Sequence, residues 1–178
     1  MSGKQANRSF RVALLLAAAI ALAACGFHLR GNAQLPASMQ RVHLDISGNQ
    51  DLQRHLARAL QISGVTVEDA AGPGIAELRV PVAAFSTETV SAGGYSRISE
   101  FAVRYQVQFE VTDAAGQVLV PRQRIDMSRE YSYDATNTVG NASQVQEIQR
   151  SLNDDMVQAI LFRLQAASTH PPAAAAQP

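Results

Sequence analysis

Cysteine is almost absent from this sequence, since Cys25 is the only one among 178 residues. A single thiol has no partner for an intramolecular disulfide, and it cannot supply the several cysteines of a structural zinc site. The histidines are separated by more than the spacing of a metal-ligating motif, at His28, His43, His55 and His170. We therefore expect neither a disulfide framework nor a metal cofactor.

The patterns that mark common catalytic sites are also missing. The sequence contains no Gly-x-Ser-x-Gly elbow, phosphate-binding loop or dinucleotide fingerprint, and Gly93-Gly94 is more typical of a hairpin turn. Asp154 and Asp155 are adjacent acids, but neighbouring positions on a helix point about 100° apart. The sequence therefore predicts a binding or structural protein rather than an enzyme.

Lysine occurs once, at Lys4, where it joins Arg8 and Arg11 ahead of an uncharged apolar run over residues 12–24. The run is shorter than the roughly 20 residues that a membrane-spanning helix needs, and it ends in small residues. This pattern predicts a secretory signal over residues 1–24. Residues 22–25, Leu-Ala-Ala-Cys, resemble the lipobox of bacterial lipoproteins.

The lipobox resemblance implies that cleavage leaves Cys25 as the first residue, with an S-diacylglycerol group on its thiol and an N-acyl chain. Several buried acyl chains hold a protein durably on a membrane. Gly26 follows the cysteine, whereas inner-membrane retention usually involves aspartate there, so the resemblance implies an outer-membrane lipoprotein. An ordinary secretory signal with an incidental cysteine is the alternative.

The mature chain is arginine-rich but acidic overall. Removing three basic residues with the signal leaves 12 of the 15, all arginine, against 15 acidic residues, a net charge of about −3. This charge argues against a general nucleic-acid binder. The remaining length suits one domain over residues 25–168, with a lipidated arm at 25–40 and a disordered tail at 169–178.

Hydrophobic spacing predicts the element order β-α-β-β-β-α. The clearest strand covers residues 100–111, where large apolar residues alternate with polar ones. Other strands are predicted at 42–46, 77–90 and 118–133, and helices at 51–63 and from about 145. Pro81 implies a sheet edge or a bulge. Val82 is expected in phase with Leu78 and Val80 on the core face. Asn141 with Gln144 suggests a helix cap.

These elements predict an α/β fold, a two-layer sandwich with a mixed four-stranded sheet and two helices packed on one face. Each helix has one apolar stripe, and the strand at 100–111 has one apolar face. Placing both helices on the same side buries all three apolar surfaces together.

Residues 25–31, Cys-Gly-Phe-His-Leu-Arg-Gly, followed by Leu35-Pro36, resemble the start of mature lipoproteins of the lipopolysaccharide-assembly family LptE. The element order and length also fit that family. The resemblance implies a protein that plugs the outer-membrane β-barrel LptD, assists its assembly, and binds lipopolysaccharide during transport to the cell surface. It places the domain on the periplasmic side and within the barrel lumen.

Under this hypothesis the polar strand face should contact the barrel through Gln106 and Gln108. Arg97 and Arg104 are the candidate ligands for lipopolysaccharide phosphates, because a guanidinium pairs bidentately with phosphate. Either arginine could instead be an ordinary solvated side chain. The alternative function is an outer-membrane lipoprotein that acts as a structural or assembly module of another envelope complex, without a lipid ligand.

Overall fold

The computed structural model describes residues 35–91, 98–134 and 136–169, so the predicted signal, Cys25 and most of the arm lie outside it. A short 3-10 turn at Ala37–Met39 leads into the first strand. The elements that follow are β1 (Arg41–Ile46), α1 (Gln50–Ile62), β2 (Thr66–Glu68), β3 (Ala76–Ser91), β4 (Ile98–Thr112), β5 (Val118–Asp134) and α2 (Thr138–Thr169).

One mixed sheet contains the described strands in the order β2-β1-β3-β4-β5. β1 pairs in parallel with both β2 and β3, whereas β3, β4 and β5 are antiparallel. The parallel pairing of β1 and β3 requires a crossover, and α1 lies in that connection. The mixed α/β class with two helices is therefore confirmed.

The prediction of four strands was wrong, because the sheet has five. β2 contains only three residues and pairs with β1 through Arg41–Thr66, Val42–Val67 and His43–Glu68. A three-residue segment is too short to show a hydrophobic alternation. Its strand character arises from main-chain pairing with β1, which the local sequence does not record.

Pro81 lies in the middle strand of the sheet rather than at an edge. The register between β3 and β4 shifts between Arg79 and Val82, so the predicted bulge is present and accommodates the missing proline N–H. The bulge adds one residue to β3 relative to β4, so the side chains that follow it face the opposite side of the sheet from the one that the alternation predicts. Val82 consequently pairs with Gln108 on the face away from the core, and its expected core position was wrong.

Both helices pack on the sheet face that carries Leu78, Tyr105 and Val107, and they also contact each other. α1 buries Leu52, Leu56 and Leu60. The buried stripe of α2 includes four of the residues predicted from its spacing, Leu152, Met156, Ile160 and Leu164. The apolar face of β4 is likewise buried as its alternation predicts, at Val103, Tyr105, Val107, Phe109 and Val111.

The ends of the helices are set by side chains that bond to the main chain. Asn49 caps α1, with its Oδ1 atom accepting from the Leu52 N–H at 2.9 Å, and Gly64 follows α1 at a φ of +86°. α2 begins earlier than predicted. Asn137 accepts from the Gly140 N–H at 3.0 Å, so Asn141 lies inside the helix and is not its cap.

Asn141 instead connects the start of α2 to the end of β5. Its Nδ2 atom donates to the Asp134 carbonyl at 2.7 Å, and its Oδ1 atom accepts from the Asp134 N–H at 3.3 Å. At the other end α2 includes Thr169, the first residue of the predicted tail. Residues 170–178 lie outside the described part of the chain.

The two faces of β4 can be tested with a matched pair of variants. Val107 is fully buried, whereas the neighbouring Gln108 faces away from the helices. We expect Val107→Asp to lower the free energy of unfolding by about 3 kcal/mol or more, because it buries an unpaired charge. Gln108→Asp should change it by less than about 1 kcal/mol. Equal urea midpoints for the two variants would contradict the assignment of faces.

Candidate functional site

The sheet face opposite the helices, here called the outer face, is the first candidate surface. Strand pairing places Gln108 between Val82 and Arg124, and Gln106 between Ala84 and Asp126. Four uncharged side chains therefore form a central patch on β3 and β4: Val82, Ala84, Gln106 and Gln108. The two glutamines predicted as barrel contacts are neighbours in this patch.

The charged side chains around the central patch are paired with one another. One network joins β1, β3, β4 and β5, and a separate pair lies on β5. The N–O distances are 3.4 Å for Arg79–Asp45, 3.1 Å for Arg79–Glu77, 3.8 Å for Arg79–Glu110, 3.1 Å for Arg122–Glu110 and 2.7 Å for Arg124–Asp126. Cations and anions of the outer face thus already compensate each other.

These pairs favour the ionised forms of the carboxyl groups. Hydrogen bonding from Arg122 holds the pKa of Glu110 below its ordinary value, and Arg124 does the same to the pKa of Asp126. Exposed ion pairs of this kind contribute little to stability, because water screens the attraction. Their importance here is that they leave little unbalanced charge on the surface.

Arg104, a predicted lipopolysaccharide ligand, forms an ion pair with Glu88 at 3.0 Å, and both side chains are about half exposed. Its guanidinium is therefore accessible but already has an anionic partner. Arg97, the other predicted ligand, lies outside the described residues, as does Cys25. The structure thus places Arg104, Gln106 and Gln108 on one face and says nothing of Arg97.

A second candidate site surrounds the hydroxyl of Tyr105, on the inner face of β4. Asn49 Nδ2 donates to this hydroxyl at 3.0 Å, and the hydroxyl donates to Asn153 Oδ1 at 3.4 Å. The hydroxyl therefore links β4 to the N-terminus of α1 and to the middle of α2. Sequence reasoning treated Tyr105 only as a core residue and missed both asparagines.

A cleft of about 450 Å³ opens between the N-terminal half of α1, α2 and β3. Here it is called the helix cleft. His55 Nδ1 and Asp154 Oδ1 are 2.8 Å apart across it. Amide and charged side chains dominate the lining, with one aromatic ring: Asn49, Asp51, His55, Phe85, Gln146, Gln149, Arg150, Asn153 and Asp154.

Asn153 is the most unusual residue of the helix cleft. The residue is only 4% exposed, and its Nδ2 atom has no hydrogen-bond partner among the residues that the structure describes. An unsatisfied buried donor costs about 1–3 kcal/mol of stability. The signal that could have revealed it is an asparagine beside the buried stripe of α2, where an aliphatic residue would pack better.

The described residues contain no group of three histidine, cysteine, aspartate or glutamate side chains that could hold a metal ion. Among the helices described, none is long and apolar enough to cross a membrane.

The architecture is that of several bacterial lipoproteins of known structure. Lipoprotein B of Nitrosomonas europaea aligns with a TM-score of 0.69 and 23% identity, covering 82% of this chain and 94% of that one. A minor lipoprotein of Acinetobacter baumannii aligns with a TM-score of 0.60 and 22% identity, covering 72% and 92%. At these identities the comparison establishes the class of fold.

The sequence comparisons identify the family. The family model "LptE: Lipopolysaccharide-assembly" matches residues 39–164. The LPS-assembly lipoprotein LptE of Photorhabdus laumondii is 27% identical over 146 residues, covering 78% of this chain and 80% of that protein. Its namesake in Pectobacterium atrosepticum is 36% identical over 121 residues, covering 67% and 61%. The chain belongs to the LptE family, which is a lipopolysaccharide-assembly family and not a family of enzymes.

The contribution of the Tyr105 hydroxyl to the free energy of unfolding can be tested, together with its dependence on pH. Burial, with a smaller contribution from Asp51, raises the pKa of Tyr105 well above its ordinary value of 10.0. Tyr105→Phe should lower the free energy of unfolding by about 1–2 kcal/mol at neutral pH, because it removes the partner of Asn49 and Asn153.

This difference should shrink above pH 10. There the unfolded chain releases the Tyr105 proton while the folded chain retains it, so the stability of the parent protein falls with pH and this contribution is absent from the variant. Urea titrations from pH 7 to pH 11 measure the difference. Parallel pH profiles for the two proteins would contradict the assignment.

Proposed function

We propose that this chain is a lipid-anchored outer-membrane lipoprotein that binds and plugs the lipopolysaccharide-translocon barrel LptD, assists its assembly, and binds lipopolysaccharide. The family match over residues 39–164 is the observation that carries this proposal. The lipobox around Cys25 supports the lipid anchor. The proposal places the domain on the periplasmic side of the outer membrane and within the barrel lumen.

The outer face supports the proposed contact with a barrel wall. Burying an ion is costly unless it keeps a partner, and the charges bordering the central patch already have partners within 4 Å. The patch itself offers the amides of Gln106 and Gln108, which can both donate and accept hydrogen bonds. A surface of this composition can be covered by a hydrated, polar wall without leaving many charges unpaired.

The Arg104–Glu88 pair supports a site for lipopolysaccharide phosphate. Because the pair is exposed, it holds Arg104 with only about 0–1 kcal/mol, so a phosphate carrying more charge can replace the carboxylate. We propose that Arg104 and Arg97 are the phosphate ligands. Under this proposal Glu88 competes with the lipid for Arg104.

Site-specific photocrosslinking in intact cells tests the barrel contact. A photoreactive residue replacing Gln108, in the central patch, should capture a much larger outer-membrane protein identified by mass spectrometry as LptD. The matched control replaces Gln53, an exposed glutamine of α1 on the other side of the sheet. Capture from position 53 but not 108 would contradict the proposed face, and capture of other envelope proteins in place of LptD would favour the structural-module alternative.

Paired charge variants test the phosphate site. Arg104→Gln should weaken lipopolysaccharide binding by about tenfold, the effect of losing one charge-assisted hydrogen bond, and the loss should shrink as salt is raised. Glu88→Gln should strengthen binding severalfold, because it frees Arg104 from its partner. Binding is measured by fluorescence titration with purified lipopolysaccharide.

Glu68→Gln provides the matched control for Glu88→Gln. It removes the same charge from another exposed ion pair, Arg41–Glu68, which joins β1 to the edge strand β2. We expect its lipopolysaccharide affinity to stay close to that of the parent protein. Equal gains for the two glutamate variants would indicate a general charge effect and contradict a site at Arg104.

A further inference from the structure

We propose that the helix cleft is a binding site for a neutral sugar residue. The cleft is lined by four amide side chains, those of Asn49, Gln146, Gln149 and Asn153, and by the ring of Phe85. Its volume of about 450 Å³ lies within the usual range for small-molecule sites, which is about 300–1,000 Å³. The inference does not depend on the proposed barrel contact, because the cleft lies on the helix side of the sheet.

The buried amide of Asn153 indicates that a ligand completes this site. Its Oδ1 atom accepts from the Tyr105 hydroxyl, whereas its Nδ2 atom has no partner among the described residues although the side chain is nearly fully buried. Buried donors are almost always satisfied in folded proteins. Asn153 lines the cleft, so a ligand oxygen that reaches its Nδ2 atom would satisfy this donor.

The charges of the cleft favour a neutral ligand. Asp154 is bonded to His55, Asp51 to Arg54, and Arg150 to Glu147. These exposed contacts balance most of the charge at the cleft, so no large excess of one sign is left to attract an ion, and the amides are the groups best suited to fix a ligand. Each amide offers both donors and an acceptor, and a sugar hydroxyl also donates and accepts.

Phe85 supplies the apolar part of the site. Its ring stacks on the Tyr105 ring, with centroids 3.9 Å apart and planes inclined by 12°, so the wall of the cleft that it forms is held in a defined orientation. Sugar rings carry C–H groups on one face and hydroxyls at their edges. An aromatic surface beside several amides matches both features.

The sugar could come from a free glycan or from the carbohydrate part of a glycolipid. The two sources share the same ring chemistry, so the experiment includes both. The probes are cellobiose, as a free neutral disaccharide, and purified lipopolysaccharide, as a glycolipid. The full chain is labelled with ¹⁵N and kept in a detergent without a sugar headgroup, and the side-chain amide signals are followed by NMR.

We expect saturable shifts of the Asn153 and Gln149 side-chain amide signals with at least one probe. A response to cellobiose identifies a site for free glycans, and a response to lipopolysaccharide alone identifies a glycolipid site. Absence of a response to both probes would overturn the proposal and leave solvent as the partner of Asn153. Capture of a peptide segment by the cleft, with no sugar response, would overturn it as well.

Two variants locate the response. Asn153→Asp replaces the unpartnered donor with an acceptor of the same shape and should abolish the shifts. Because that change is buried, Gln149→Ala provides a test at a partly exposed position and should weaken binding about fivefold, the effect of one hydrogen bond. Gln144→Ala, at an exposed α2 position outside the cleft lining, is the control. Equal weakening by both alanine variants would overturn the assignment.

Discussion

The hydroxyl of Tyr105 lies where the three principal parts of the fold meet. It accepts from the amide of Asn49, which also caps α1, and it donates to Asn153 of α2. A buried hydroxyl without partners would be costly, so these contacts constrain where both helices lie on the sheet. The helix cleft is a consequence, because the asparagines that hold the helices also form part of its lining.

The two sides of the sheet share one electrostatic arrangement. On the outer face, ion pairs surround the uncharged central patch, and in the helix cleft Asp51 and Arg150 have partners of opposite charge while Asp154 contacts His55. Paired charges can remain near a covered surface at much lower cost than single ones. Each surface is therefore suited to a polar partner with little net charge, a barrel wall on one side and a sugar on the other under our proposals.

The bulge at Pro81 decides the composition of the central patch. Without the extra residue, Val82 would continue the core phase of Leu78 and Val80, and Ala83 would face outward. The register shift places Val82 and Ala84 beside the two glutamines of β4. A residue that cannot donate to the strand ladder thus controls which side chains the outer face presents.

Local sequence was sufficient to predict the α/β class, the family resemblance, the helix of residues 51–63 and the two faces of β4. The resemblance rests mainly on the motif at residues 25–31, and the other features depend on local periodicity, which side chains record directly. Tertiary structure alone decided the fifth strand, the reversal at Val82, the start of α2 at Thr138 and the joining of Asn49, Tyr105 and Asn153. Each of these depends on a pairing between residues distant in the chain or on competition between caps, and neither is visible in local spacing.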